Sequence, residues 1–263
     1  VLIAASARDG TWSYFNSQDS ADNGGTIQFM QNRLGGGASL GDVRRALRPY
    51  LANMDVSAPL QADQSRERDH TAARQGWNAA KPVVPAYLLE RGITETNLAS
   101  YAHDQVREDR RGNVLFAHRD QSGNVLGFEI KGKSWSGYAK GGQKTLAVFG
   151  TSDARKSALR IVLTESGIDA LSLAQMEGRG DSLYVSTGGG FGKRTLEEVK
   201  ALAANQPGAE IVLGFDNDPA GEEMAEKASA AFDFDTTRLR PVGKDWNEEL
   251  GWRRSRPGIG MRQ

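Results

Sequence analysis

The run IVLGFDNDPAG, Ile211–Gly221, joins two unlike pieces. Ile211, Val212, Leu213 and Phe215 form a short apolar stretch suited to a strand buried on both faces. Asp216, Asn217 and Asp218 follow at once, and Pro219-Ala220-Gly221 opens the helix-like EEMAEKASAAF. Asp218 as N-cap, Pro219 at the first helical position and Glu222 and Glu223 in the first turns make a good helix start. That accounts for Asp218 and leaves Asp216 unexplained. Two crowded carboxylates repel unless a cation sits between them. The carboxyl end of a strand is also where α/β sheets bind ligands. A lone D-x-D arises often by chance, so a partner elsewhere must decide its meaning.

The partner lies in LTESGIDALS, Leu163–Ser172, where Glu165 follows its own apolar run directly. Asp169, four residues on, is one helical turn away and faces the same way. From Arg160 the strands RIVLT, SLYVST, EIVLGF and TTRLRP alternate with the helices GIDALSLAQME, KRTLEEVKALAAN and EEMAEKASAAF. Such alternation implies a mostly parallel sheet with right-handed crossovers. Parallel strands end on one edge, so Glu165, Asp169, Asp216 and Asp218 are expected to converge in one crevice. Oxygen-only ligands favour Mg²⁺ or Mn²⁺. Cations so held bind substrate phosphates during phosphoryl or nucleotidyl transfer. Two other readings stand beside this one: Glu165 as general acid or base, or Glu165 as a helix cap with Asp169 merely solvated.

At 263 residues, with 38% hydrophobic and 25% charged residues, the chain suits one elaborate or two ordinary soluble domains. No run approaches the roughly 20 apolar residues of a membrane helix and no signal peptide is visible, so no membrane partner is expected. Cysteine is absent, which excludes disulfides and thiolate zinc sites and makes the cytoplasm the expected compartment. His70, His103 and His118 are too scattered for a histidine zinc site. The chain opens on Val1 rather than Met, as a piece of a longer protein would. A formal net charge of zero hides a split. Arg110–Lys144 holds seven Lys/Arg against two Asp/Glu, and Arg160–Glu249 holds nine against seventeen. A basic segment beside an acidic one suits a protein that grips a polyanion with one part and metal ions with another.

Upstream, GTWSYFNSQDSADNGGTIQFMQNRLGGGASLGDVRRALRPYL reads as a short strand, a glycine turn and two helices. Ile27, Met30 and Leu34 have helical spacing, and Ser39 is placed to cap the second helix. Ala52–Ala80 is polar and irregular, a partly helical linker. PAYLLERG is helical, and NVLFAHRDQSGNVLGFEIKG is a hairpin turning at Asp120–Gly123.

These residues resemble a known family. TESGIDALS with GFDNDPAGEEMA is similar to the Toprim domain, the metal-binding fold shared by DnaG-type primases, topoisomerases and some nucleases. Glu165, Asp216 and Asp218 fit its glutamate and D-x-D, while Gly167 and Asp169 match a primase-like G-x-x-D extension. STGGGFG stands at the family's glycine turn and lacks the spacing of a nucleotide P-loop. AYLLERGITETNLASY resembles the segment opening the primase core, the basic hairpin resembles that of primases, and GYAKGGQKTLAVFG the loop after it. GKDWNEEL resembles the last acidic motif and offers Asp245, with Asn247 where a second acid is usual. GTWSYFNSQDSADNGGTIQFMQNRLGGGASLGDVRRAL, Gly10–Leu47, resembles the primase zinc-binding module without its metal ligands.

The resemblance implies an α/β fold with an α+β N-terminal part. Its segments are a zinc-free module (residues 1–55), a linker (56–80), a basic primase-like subdomain (81–156), a Toprim domain (157–250) and a basic tail (251–263). It implies short RNA synthesis on single-stranded DNA from ribonucleoside triphosphates. Glu165, Asp216 and Asp218 would hold Mg²⁺ or Mn²⁺, with Asp169 and Asp245 as supporting acids and no zinc. Arg119, Lys131, Lys133, Lys140 and Lys144 would contact template or nucleotide phosphates. Related architectures occur on plasmids and mobile elements, so a replicative helicase or relaxase is a possible partner. The alternatives are a metal-dependent Toprim nuclease and a non-catalytic single-stranded-DNA-binding module. A topoisomerase fits less well in so short a chain.

Overall fold

The computed structural model describes residues 1–5, 12–18, 22–35, 38–51, 70–232 and 235–255. The chain divides into two compact units, Val1–Arg66 and Glu67–Gln263. No helix among the described residues is long and apolar enough to cross a membrane.

In the first unit β1 (Leu2–Ala5), β2 (Trp12–Phe15) and β3 (Asn23–Gly25) form an antiparallel sheet, followed by α1 (Thr26–Leu34) and α2 (Leu40–Leu51). The sequence reading had one strand here. The three residues of β3, Asn-Gly-Gly, carry no strand signal of their own and are drawn in by pairing with β2. Ser39 caps α2 as expected, in a reciprocal pair with Asp42: Asp42 N–H donates to Ser39 Oγ at 3.2 Å and Ser39 N–H to Asp42 Oδ2 at 2.9 Å. The apolar spacing of α1 does give a helix, yet Ile27 and Leu34 are exposed. Instead Tyr14 is buried with Phe29 edge-on at 4.9 Å, and the carboxylate of Asp22 collects Tyr14, Asn16, Asn32 and Arg33 around it.

The second unit begins with α3 (Thr71–Ala79), α4 (Ala86–Glu90) and α5 (Glu95–Asn97), which runs into a π-helical turn at Leu98–Ala102. Then β4 (Val106–Glu108), β5 (Val114–Arg119), β6 (Val125–Lys131) and β7 (Ser136–Tyr138) make an antiparallel sheet in chain order. The β5–β6 hairpin turns at Asp120–Gly123 as expected, with Gly123 at φ +83°. The end of the stretch read as linker is therefore α3, and it is no tether: Ala73 and Trp77 are buried against Leu115, Ala117 and Phe128 of this sheet. Residues 56–69 of that stretch, and 256–263 of the basic tail, lie outside the described residues.

The opposite face of the basic sheet turns Phe116 onto Phe149 of β8 (Ala147–Phe149), ring centroids 5.9 Å apart. After α6 (Ser152–Lys156) come β9 (Arg160–Thr164), α7 (Gly167–Glu177), β10 (Ser182–Ser186), α8 (Lys193–Ala204), β11 (Glu210–Leu213), α9 (Pro219–Ala231), β12 (Thr236–Arg238) and α10 (Trp246–Ser255). The sheet order is β12-β11-β9-β10-β8, parallel except for β8. Hydrogen bonding to β10 thus carries β8 across the 156/157 boundary drawn from sequence. Alternating strand residues serve two cores. Val162, Val212 and Tyr184 pack with α7 and α10 (Leu171, Trp246, Leu250), and Ile161, Leu163 and Ile211 with α8 and α9 (Val199, Ala228). Each Val, Leu or Ile side chain buried among these contributes about 1.5–3 kcal/mol. This two-faced burial makes the middle of the sheet stiff and leaves its carboxyl edge to carry chemistry.

Candidate functional site

Leu163 of β9 and Leu213 of β11 are directly paired, and Gly214 N–H donates to the Leu163 carbonyl at 2.8 Å. The two strands therefore release their chains at one level. Glu165 and Asp216 emerge side by side at this edge, as the parallel-sheet argument required. Each has a buried carboxylate oxygen without a hydrogen-bond partner among the described residues, Glu165 Oε1 and Asp216 Oδ1.

Crowding sets the electrostatics. Burial, followed by the charges of Asp169, Glu165, Asp245 and Asp218, pushes the Asp216 carboxyl up to about 8. Burial and the Asp218 charge raise Glu165, against the Asp216 backbone N–H, Lys131 and Lys244. Asp169 is pushed up to about 6, chiefly by burial and then by Asp245 and Glu165, with the Ser166 hydroxyl and Lys131 opposing. It is no solvated helix residue: Ser166, N-cap of α7, holds its Oδ2 at 2.5 Å.

Asp218 is the N-cap foreseen, taking Gly221 N–H at 2.9 Å and Ala220 N–H at 3.1 Å. Its other oxygen faces Lys244 Nζ at 3.8 Å. Asp245 caps α10 through Glu248 N–H at 2.7 Å, and Asn217 N–H donates to the Lys244 carbonyl at 2.8 Å, tying the two acidic loops together. Gly221 is required by space, since a Cβ there would sit 2.2 Å from the Asp216 carbonyl oxygen. Asn247 points away from the edge; its amide donates to Arg91 O and Ser172 Oγ, both at 2.9 Å, joining α10 to α7.

Two contributors escaped the sequence reading. Lys244 brings the charge that faces Asp218. Arg238 passes beneath the D-x-D and donates to the carbonyls of Leu213, Phe215 and Asp216. It also pairs with Glu222, whose carboxyl Arg240 and Arg238 hold down at about 2. The signal was a pair of arginines, Arg238 ending the edge strand β12 and Arg240 just after it.

The five basic positions divide. Lys131 lies close enough for its charge to act on Glu165 and Asp169. Lys133 and Lys140 are exposed, Lys133 pairing with Glu90 at 2.7 Å. Lys144 donates to the Gly188 carbonyl at 2.7 Å beside the glycine turn. Arg119 is turned inward onto Asp104, Gln105, the Gly123 carbonyl and the Trp77 ring.

Among the described residues no group of three or more His, Cys, Asp or Glu side chains forms a ready-made metal cage. The acids nonetheless fit a hard divalent cation. Their donors are all oxygen, two are buried and unmatched, and their mutual repulsion is what a cation relieves. Mg²⁺ is usually held by only one or two carboxylates, with water and substrate phosphates completing the octahedron.

Residues 162–250 match a family model described as Toprim-like. Residues 86–154 match one described as a protein of unknown function (DUF3991). A 65 kDa protein of Zymomonas mobilis subsp. mobilis is 24% identical over 249 residues, covering 87% of this chain and 40% of that protein. The chain thus spans less than half the length of that relative. Among solved structures, the primase fragment of the bacteriophage T7 primase-helicase protein is 23% identical, covering 61% of this chain and 66% of its own, with TM-score 0.45. A DNA primase domain from Pseudomonas aeruginosa is 20% identical, covering 71% of this chain and 74% of its own, with TM-score 0.46.

Proposed function

We propose that this chain, whose residues 162–250 form a Toprim-like domain, is a primase-like nucleotidyltransferase that makes short RNA on single-stranded DNA. One observation carries the reading: Glu165 and Asp216 stand together with unmatched buried oxygens at a sheet edge that also holds Asp169, Asp218 and Asp245. Glu165, Asp216 and Asp218 would hold Mg²⁺ or Mn²⁺, which when bound neutralises triphosphate charge and leaves pyrophosphate a better leaving group. The new bond joins a 3′-hydroxyl oxygen to the α-phosphorus, the hydroxyl proton passes to solvent water, and the bond to pyrophosphate breaks. Asp169 and Asp245 keep the local potential negative and fix the loops. Lys131, whose charge acts on Glu165 and Asp169, and Lys144, beside the glycine turn, would meet phosphates, with Lys133 and Lys140 as template contacts. The substrates are then single-stranded DNA and ribonucleoside triphosphates; a helicase or relaxase partner belongs to the same reading.

The test is incorporation of labelled ribonucleotides on single-stranded DNA with Mg²⁺, wild type against Asp216→Ala. Template-dependent RNA from the wild type and a loss of at least 100-fold in the variant are expected. Equal incorporation by both removes the assigned role, and metal-dependent cutting without synthesis makes the protein a nuclease instead.

A further inference from the structure

Glu129 lies on β6 of the basic sheet, yet its carboxylate serves the acid-bearing edge. It is 2% exposed. Oε1 accepts from His118 Nε2 at 3.0 Å and from the Ser186 hydroxyl, while Oε2 accepts from Gly167 N–H at 3.2 Å. A buried carboxylate is tolerated only with such donors around it. Burial acts to raise its pKa, but the His118 hydrogen bond and charge and the Ser186 hydroxyl outweigh it, and the group stays below the usual carboxylate range.

The three donors come from three elements. His118 is on β5, Ser186 ends β10, and Gly167 is the first residue of α7, two positions past Glu165. The same Ser186 oxygen accepts Gly188 N–H at 3.1 Å, and the neighbouring Gly189 N–H donates to the Glu165 carbonyl at 2.8 Å. Both flanks of the Glu165 turn are thereby pinned to one carboxylate. Phe116, cross-strand partner of Glu129, closes the remaining space, since a Cβ on Gly167 would lie 2.5 Å from its ring. No sequence pattern singles out Glu129, because every one of its donors is distant in the chain.

We infer that Glu129 is a positioning residue for Glu165: rooted in the basic sheet, it fixes the turn from which the Glu165 carboxylate reaches the edge. It acts through the backbone of Gly167 and Gly189, and it couples the sheet assigned to template to the cluster assigned to metal. The inference rests on the proposed function only for what Glu165 does once placed.

The experiment compares full-length wild type and Glu129→Gln, which keeps the shape but offers one acceptor atom to three donors. Free Mn²⁺ is read by electron paramagnetic resonance, DNA affinity by oligo-dT anisotropy, turnover by primer synthesis and folding by thermal denaturation. Loss of an outer-shell partner typically weakens metal affinity or activity 10- to 100-fold. The expected result is Mn²⁺ affinity and kcat down at least 10-fold, with oligo-dT affinity within twofold and a folded protein at assay temperature. Wild-type Mn²⁺ affinity in the variant overturns the inference, as does a parallel fall of Mn²⁺ and DNA affinity. A wild type that takes up no Mn²⁺ and makes no primer sinks the proposed function instead. Amide exchange at Gly167 and Gly189 then decides: faster exchange in the variant upholds the clamp, and unchanged exchange removes it. Should Glu129→Gln fail to fold, Glu129→Asp, which withdraws the charge by one methylene, carries the same comparison.

Discussion

Glu165 and Asp216 leave neighbouring parallel strands at one level, and each keeps a buried carboxylate oxygen that no donor among the described residues reaches. The fold holds charge together where hydrophobic packing has left no freedom to separate it. Leu163 and Leu213, paired just before the two acids, are each no more than 2% exposed. An arrangement that disfavours the ionised acids and is still built directly onto the ends of two buried strands is expected at a site rather than in a scaffold.

The first consequence concerns stability. Asp216 titrates near 3.8 when unfolded and about 8 when folded, so the native state binds the proton more tightly. Between those values folding is favoured at the acid end and loses ground as pH rises. Asp216→Asn removes this dependence. Its thermal midpoint should match wild type near pH 4 and exceed it at pH 8 by several degrees, about 1–2 kcal/mol after solvent screening, while activity disappears. Melting curves at the two pH values without divalent metal check it; a variant less stable than wild type at pH 8 contradicts it.

Metal addition should reverse the same penalty. At 100-fold over its dissociation constant a bound ion stabilises by about 2.7 kcal/mol, roughly 5–10 °C here. The rise from Mg²⁺ should be smaller at pH 6 than at pH 8, because below about 8 the ion must displace the Asp216 proton. Asp216→Asn should lose most of the rise at both. An equal rise in wild type and variant would place the ion elsewhere.

Gly221→Ala tests the seating of the D-x-D. In an ordinary first turn alanine favours the helix by about 1 kcal/mol. Here its methyl meets the carbonyl oxygen, carbon and nitrogen of Asp216 at 2.2, 2.8 and 3.0 Å, all backbone. Something must move, at a cost of about 1–3 kcal/mol. Urea denaturation should show a lower midpoint at unchanged slope, and Mn²⁺ affinity should fall with it. A stabilised variant would mean that the loop is free to shift.

What was legible in the sequence was local. An acid straight after an apolar run, a D-x-D-P-A-G helix start and a Ser-x-x-Asp cap report their own geometry, so Glu165, Asp216, Asp218 and Ser39 were found from spacing. Arg238, Lys244 and Glu129 were not, because the partners that reveal them lie 11 to 57 residues away. The three-residue strand β3 exists only through pairing with β2, which no window of sequence contains. Partial helix was read in the linker, but the packing of α3 was not, because it buries little beyond Ala73 and Trp77, on a sheet that forms later in the chain. Arg119 looked like a phosphate contact by its neighbours and is turned inward by Asp104, fifteen residues upstream.

The first unit should depend on Asp22 as a metal-binding module depends on its ion. Hydrogen bonds from Arg33, Tyr14, Asn32 and Asn16 hold its carboxyl well below the usual range. Its contribution is present above the unfolded value of 3.8 and is lost as pH falls toward the folded one. Asp22→Ala should open Val1–Arg66 to limited proteolysis at neutral pH while Glu67–Gln263 stays resistant. Wild type should become equally susceptible there only in strong acid. Resistance in the variant would show that packing of Tyr14 on Phe29 suffices without the carboxylate.

The basic positions should separate into two classes under mutation. Lys131 and Lys140 are proposed phosphate contacts, so alanine at either should weaken single-stranded DNA binding alike on any sequence. Each should also lower the slope of log affinity against log salt by about 0.7, the value for one lost contact. Arg119→Ala should behave differently, because its guanidinium is committed to Asp104 at 2.8 Å, the Gly123 carbonyl at 2.8 Å and the Trp77 ring. Its loss removes the bonds to Asp104 and the Gly123 carbonyl while Arg107 stays over the Trp77 ring at 4.9 Å, costing about 1–3 kcal/mol of stability. Titrations of oligo-dT at several salt concentrations, paired with urea denaturation, distinguish the two. If Arg119→Ala lowers the salt slope and leaves the urea midpoint unmoved, its side chain leaves the hairpin when DNA arrives, and the static contacts do not define its role.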